Sequence, residues 1–321
     1  FLAIFTMSAP AEAAVIITNV PHVRQKPDFC GEACVEMILK KLGRIDFDQD
    51  YIFNISGTVP VLVKGCTTPG LAQAMREAGF NPGPVWQVIQ ATNSVLELES
   101  CWQNLVSDLE SNVASIVCMN ATEEAGAPEH FRLILGYDDA SGEVIYNDPA
   151  VEKGAGLRMK KDAFLRMWPL KNEQYKWTVI RMRCLLERNL PKKRFDFPSP
   201  SDFLHHVRDL TKRIPRNRIF TMVIEPPFLM IGDEPASAVI ERSEKTIRWA
   251  VNRLKKDYFK FSPDHIIDVW LFQDKESYEK NAMEILKLKP SSPFGFYSRP
   301  NNALIMNIAT GGGTLVHELV H

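Results

Sequence analysis

Apolar positions along the chain follow two different spacings. Between residues 30 and 43, Ala33, Cys34, Met37, Ile38 and Leu42 recur at helical spacing and Gly43 is placed to stop the run. A helix opening near Cys30 is therefore predicted. Further helical segments are read around Leu71 to Ala78 and Cys101 to Leu109, and Val15 to Ile17 reads as a short strand. The period changes after residue 130. His130-Phe131-Arg132-Leu133-Ile134-Leu135-Gly136-Tyr137, the turn Asp138-Asp139-Ala140-Ser141-Gly142, and Glu143-Val144-Ile145-Tyr146-Asn147-Asp148 form a predicted β-hairpin. Farther on, Phe220 to Ile224 and Ile266 to Phe272 read as strands flanking a helix from Ala238 to Tyr258. Both halves read as α+β.

A chain of 321 residues is long for one compact domain. The stretch between Cys184 and Phe203 holds three prolines and mixed charge with little periodicity, and the boundary is placed there. The expected organisation is a domain over 15–184, a linker over 185–202 and a second domain over 203–321. At the start, apolar Phe1 to Met7 leads into Ala11-Glu12-Ala13, a small-x-small pattern. Residues 1–14 are read as the remnant of a secretory signal, which predicts a secreted or periplasmic protein; a buried strand is the alternative. No other stretch approaches the ~18 to 20 continuous apolar residues of a membrane span, so no integral membrane segment is expected.

Composition adds little to that picture. Apolar content is 45%, charged content 24%, and the net charge of −1 gives no whole-chain case for a nucleic acid or anionic membrane partner. Between Arg181 and Arg218, eleven basic residues face four acidic ones. This run is read as a solvated linker and surface rather than an anion site.

The six cysteines (30, 34, 66, 101, 118 and 184) show no zinc-ribbon spacing. Cys34 and Cys118 lie in apolar runs and are read as buried small hydrophobes. Cys30 differs, because the predicted helix begins with it. Unpaired amides and the positive end of the helix dipole at that place stabilise a thiolate. The hairpin supplies a base: with Tyr137 paired to Glu143, Asp148 stands opposite Arg132, and His130 and Asp148 share one face diagonally. That geometry suits an imidazole oriented by a carboxylate. Gln25, five residues before Cys30, carries an amide able to donate to an oxyanion beside the sulfur. His22 is read as a surface residue.

The segments VPHVRQKPDFCGEACVEMILKKLG and EHFRLILGYDDASGEVIYNDP resemble the bacteriocin-processing, double-glycine-leader branch of the papain-like cysteine peptidases. In that family a Q…CG.A motif opens a helix, a following strand carries the base and an NDP carries the third member. The resemblance covers about residues 15–184. It implies catalytic roles for Cys30, His130, Asp148 and Gln25, with no cofactor at the thiol site and a peptide or protein substrate. Glu129 replaces the glycine common before the histidine, which places a negative charge beside the base. The family's usual leader-peptide substrate requires fusion to, or partnership with, an exporter; no transporter segment is present, so that substrate is not expected here.

A second motif closes the chain. In Gly311-Gly312-Gly313-Thr314-Leu315-Val316-His317-Glu318-Leu319-Val320-His321, Thr314 is placed to cap a helix and His317 and His321 share one helical face. Two ligands for zinc and an adjacent base, Glu318, are the pattern of the HExxH zincin metallopeptidases, which this tail resembles. Ala303 to Ile308 is read as the edge strand lining such a cleft. Catalytic zinc needs a third protein ligand, and none can follow His321 here, so zinc is expected to bind weakly or not at all.

Three readings follow: a cysteine peptidase joined to an incomplete metallopeptidase region, a metallopeptidase whose first domain is a non-catalytic peptide-binding module, and a peptide-binding protein without turnover. Oligomeric state is not legible.

Overall fold

The computed structural model of the protein describes residues 14–90, 93–173, 176–257, 263–311 and 313–319. The signal-like stretch lies outside the described residues apart from residue 14, as does His321. The chain clusters into two units, one of residues 1–58 and 64–193, the other of Val59–Val63 and Arg194–His321.

The first unit opens with β1 (Val15–Ile16), α1 (Cys30–Lys41), α2 (Gln49–Asn54), α3 (Thr68–Glu77), β2 (Phe80–Asn81), β3 (Trp86–Gln90) and α4 (Ser94–Glu110). It continues with β4 (Ser115–Asn120), β5 (Glu129–Asp138), β6 (Glu143–Asn147), β7 (Leu157–Lys160), α5 (Lys161–Met167), β8 (Leu170–Glu173), β9 (Lys176–Arg183) and β10 (Leu185–Leu186). The main sheet runs β3-β9-β4-β5-β6-β7, with β1 on β5 and β8 on β9. β10, inside the stretch read as a linker, pairs antiparallel with β2.

α1 is the core of this unit. Every residue from Gly31 to Leu39 is buried, so this helix has no solvent face and is held from all sides. Its end matches the sequence. Gly43 adopts φ +77°, and the bonds from Gly43 N–H to Lys40 O and from Arg44 N–H to Leu39 O satisfy two terminal carbonyls. Two acids ride inside with partners: Glu36 with Lys40 and Gln49, and Glu32 with the Cys66 amide at 2.6 Å.

The hairpin is present with a different register at its turn. Tyr137 pairs with Val144 rather than Glu143, and Asp138 pairs with Glu143. A bulge between Ile134 and Gly136 absorbs the extra residue, so that Leu133 pairs with Asn147. Beyond it, Arg132 and Asp148, which the sequence placed opposite each other, meet through their side chains, Arg132 Nε to Asp148 Oδ2 at 2.8 Å.

The second unit comprises α6 (Pro200–Arg213), β11 (Thr221–Glu225), β12 (Phe228–Gly232), α7 (Ala236–Arg242), a π-helical turn (Ser243–Ile247), α8 (Arg248–Asp257), β13 (Ile267–Phe272), α9 (Lys275–Glu284), β14 (Gly295–Ser298), β15 (Ala303–Asn307) and α10 (Gly313–Glu318). Ser199 and Asp202 form a capping box that starts α6 at Pro200, inside the expected linker. The sheet order is β11-β12-β13-β15-β14, in which β12, β13 and β15 are parallel and the two outer strands antiparallel. β15 is therefore an interior strand, correcting its reading as an edge; its five residues are all buried, as strands covered on both faces require. The edge beside it is β14. Thr314 falls inside α10 rather than ahead of it.

Among the described residues, no helix is long and apolar enough to cross a membrane. Several cations of the basic run are paired: Arg181 and Arg183 share Asp108, Arg218 meets Glu284 and Lys193 meets Glu77.

Candidate active site

Three separate parts of the first unit meet in a cleft of about 710 Å³ whose lining includes Gln25, Cys30, Cys66, Trp86, Glu129 and His130. Cys30 is the first residue of α1, half-buried and a free thiol. The residue before it, Phe29, makes no side-chain cap, so the helix start has no capping side chain between its amides and the cleft.

His130 comes from the second position of β5 and is 9% exposed. Its Nε2 lies 2.7 Å from Asp148 Oδ1. Cys30 lines the same cleft as the ring. Because Nε2 is taken by the carboxylate, Nδ1 is the ring nitrogen left to exchange a proton within the cleft. Burial works against a charged imidazole, but the hydrogen bonds and charges of Asp148 and Cys30 outweigh it and raise the His130 pKa to about 9. Burial likewise works against the Asp148 carboxylate. Its bonds from His130 and the Ala150 amide, with the charges of His130 and Arg132, hold it well below the usual carboxylate range. The pair is therefore imidazolium and carboxylate at neutral pH.

The other thiols contrast with this arrangement. Burial pushes Cys34, Cys66, Cys101, Cys118 and Cys184 upward, which makes them poor nucleophiles. Cys34 and Cys118 are buried as read from sequence, and Cys34 Sγ donates to Phe131 O at 3.7 Å.

Gln25 lines the same cleft, and its Oε1 is buried and accepts no hydrogen bond among the described residues. Its backbone N–H donates to Pro149 O at 3.0 Å, which ties the segment before Cys30 to the residue after Asp148. His22 belongs to that tie. Read from sequence as a surface residue, it is half-buried, with Nε2 2.8 Å from the Asp148 carbonyl oxygen. Gly154 lets this happen: a Cβ there would sit 2.0 Å from Asp148 O and 2.7 Å from His22 Nε2.

Arg132, on β5, was also missed as a site residue. Its Nε donates to Asp148 Oδ2 at 2.8 Å. The signal was present in the hairpin, where a basic residue stands opposite the acid. Glu129 lines the cleft on the exposed side of the base, one residue before it.

The C-terminal motif is described only in part. His317, exposed, and Glu318, half-buried, lie on α10, while His321 lies outside the described residues. Among the described residues no group of three or more His, Cys, Asp or Glu side chains converges as a metal site.

Residues 17–176 match the family model described as Peptidase_C39 like family. The matched stretch falls on the first unit except for Val59–Val63, and it supports a papain-like cysteine peptidase domain there. No curated protein matches the chain.

Proposed function

On the likeness of residues 17–176 to the Peptidase_C39 like family, we propose that the protein hydrolyses peptide bonds with Cys30 as nucleophile, His130 as acid and base, and Asp148 as the orienter of His130. The observation that carries this reading is the ring of His130, bonded to Asp148 at 2.7 Å and lining the same cleft as the Cys30 thiol at the start of α1.

The Cys30 sulfur attacks the carbonyl carbon of an amide and forms a C–S bond. The carbonyl oxygen takes the electron pair and accepts a hydrogen bond from the Gln25 side chain. The C–N bond then breaks as imidazolium His130 gives its proton to the departing amine. A water, deprotonated by the now neutral His130, attacks the thioester; the sulfur leaves, and imidazole and thiolate regain their starting charges. Asp148 keeps the ring in place throughout and stays ionised.

The test uses fluorescently labelled casein and the full chain. Cleavage by the parent, abolished in Cys30→Ala and after iodoacetamide labelling of Cys30 but retained in a chelator, is the expected result. Loss only in chelator would move the activity to the HExxH motif. Absence of cleavage, with Cys30 unlabelled at mildly acidic pH, would leave a peptide-binding module.

A further inference from the structure

Both oxygens of the Asp148 carboxylate are engaged, by different parts of the fold. Oδ1 accepts from His130 Nε2 at 2.7 Å and from the Ala150 amide at 2.9 Å. Oδ2 accepts from Arg132 Nε at 2.8 Å. The rest of that guanidinium is also occupied: Nη1 donates to Asn120 O at 3.2 Å and Nη2 to Ala121 O at 2.8 Å. Arg132 is buried, 7% exposed, and its guanidinium carbon lies 5.6 Å from the centre of the Tyr146 ring.

A guanidinium is a planar fork whose donors point in fixed directions. Two of its arms are held by main-chain carbonyls at the end of β4 and just beyond it, and the chain is anchored on β5. The direction of the third donor, Nε, is therefore set by the sheet and not by Asp148. A carboxylate held through one oxygen can turn about its last side-chain bond, because such terminal torsions are broad. A carboxylate held through both cannot turn without breaking a charge-assisted bond.

We propose that Arg132 is a positioning residue of the thiol site: pinned to the main chain at the end of β4, it fixes the rotation of the Asp148 carboxylate that presents Oδ1 to His130. The proposal rests on the reading of Cys30, His130 and Asp148 as the reacting group and its support. Arg132 acts wholly through Asp148 and touches neither sulfur nor substrate. The competing account is that Arg132 only neutralises a buried acid, or only braces β5 against β4.

The pH dependence of Cys30 alkylation by iodoacetamide separates these accounts without a known substrate. It is followed by peptide mass mapping on the full chain, for the parent, Arg132→Met, Asp148→Asn and the double variant. The other charged groups facing the cleft, Asp28, Lys64 and Glu129 in its lining and Glu32 on α1, are the same in all four proteins. If the carboxylate turns away, imidazolium loses support and the thiolate forms at higher pH. The midpoint for Arg132→Met is expected to rise by about one pH unit. Asp148→Asn should rise at least as far, and the double variant no farther than Asp148→Asn.

No shift in Arg132→Met, or shifts that add in the double variant, would overturn the proposal, since an arginine that only braces β5 against β4 keeps its effect when Asp148 is gone. A role by charge alone ends with Asp148 and is separated by Arg132→Lys, whose midpoint would then equal the parent's. An unmoved profile in Asp148→Asn would instead remove the catalytic reading and this inference with it. Should Arg132→Met fail to fold, Arg132→Lys carries the same test. It keeps the charge and loses the fork, so a midpoint equal to the parent's overturns the proposal and a raised one supports it.

Discussion

His130 and Asp148 are bonded at 2.7 Å across a hairpin whose strands are out of the simple register at the turn and in it at the site. The bulge between Ile134 and Gly136 makes the difference. A hairpin without it would carry the turn register down to the site and send Asp148 to the wrong neighbour, because one residue of slip exchanges the two faces of a strand.

Replacement of Asp148 by Asn keeps the shape and removes the charge that holds His130 as imidazolium. Turnover of labelled casein is expected to fall by roughly 10²- to 10⁴-fold while the chain still folds. A drop of less than threefold in single-turnover cleavage would remove Asp148 from the catalytic group.

In the proposed mechanism the Gln25 side-chain amide, in the lining of the cleft, donates to the carbonyl oxygen as negative charge develops on it. Gln25→Ala should lower kcat by roughly 10²- to 10³-fold, with Cys30 alkylation by iodoacetamide unchanged, since the side chain acts only once substrate is bound. Equal losses in cleavage and alkylation would assign Gln25 to holding the helix start instead.

The same pair links stability to pH. His130 is raised from its unfolded value of about 6.5 to about 9, so its contribution is complete below about pH 6.5 and is lost as pH rises through about 9. Asp148 is lowered, so its contribution is complete above about pH 4 and is lost as pH falls. The gap in urea-unfolding midpoint between the parent and His130→Ala should therefore be widest between about pH 4 and 6.5 and narrow above pH 9. A gap that grows toward alkaline pH would contradict the ion pair.

A methyl group at position 154 has no room. Gly154→Ala places carbon 2.0 Å from Asp148 O, which forces apart the main chain that His22 and Gln25 hold. A loss of about 1–3 kcal/mol is expected in urea unfolding, together with slower Cys30 alkylation. A variant as stable as the parent, with the parent's alkylation rate, would show that this tie is not needed.

Some of this was fixed locally and could be read from the residues. The helix from Cys30 to its glycine stop, the hairpin and its turn, and the α+β character of both halves are set by period, capping and turn chemistry over a few residues. The thiol, imidazole, carboxylate and amide could be nominated because their types suit one reaction.

What tied the segment before Cys30 to the hairpin depended on contacts between residues more than a hundred positions apart. His22 was read as a surface residue because nothing near it in sequence shows that Asp148 O will arrive 2.8 Å away. Arg132 looked like an ordinary strand residue until two carbonyls from the end of β4 and one acid from beyond β6 closed around it. The turn register was misread because a bulge depends on how β5 packs and pairs on both sides, not on its composition. Ala303–Asn307 was read as an edge because strand order is a property of the whole sheet, and only the pairing of β13 and β14 on its two sides makes it central. Local free energies select the elements; which side chains meet is decided by the packing that buries them.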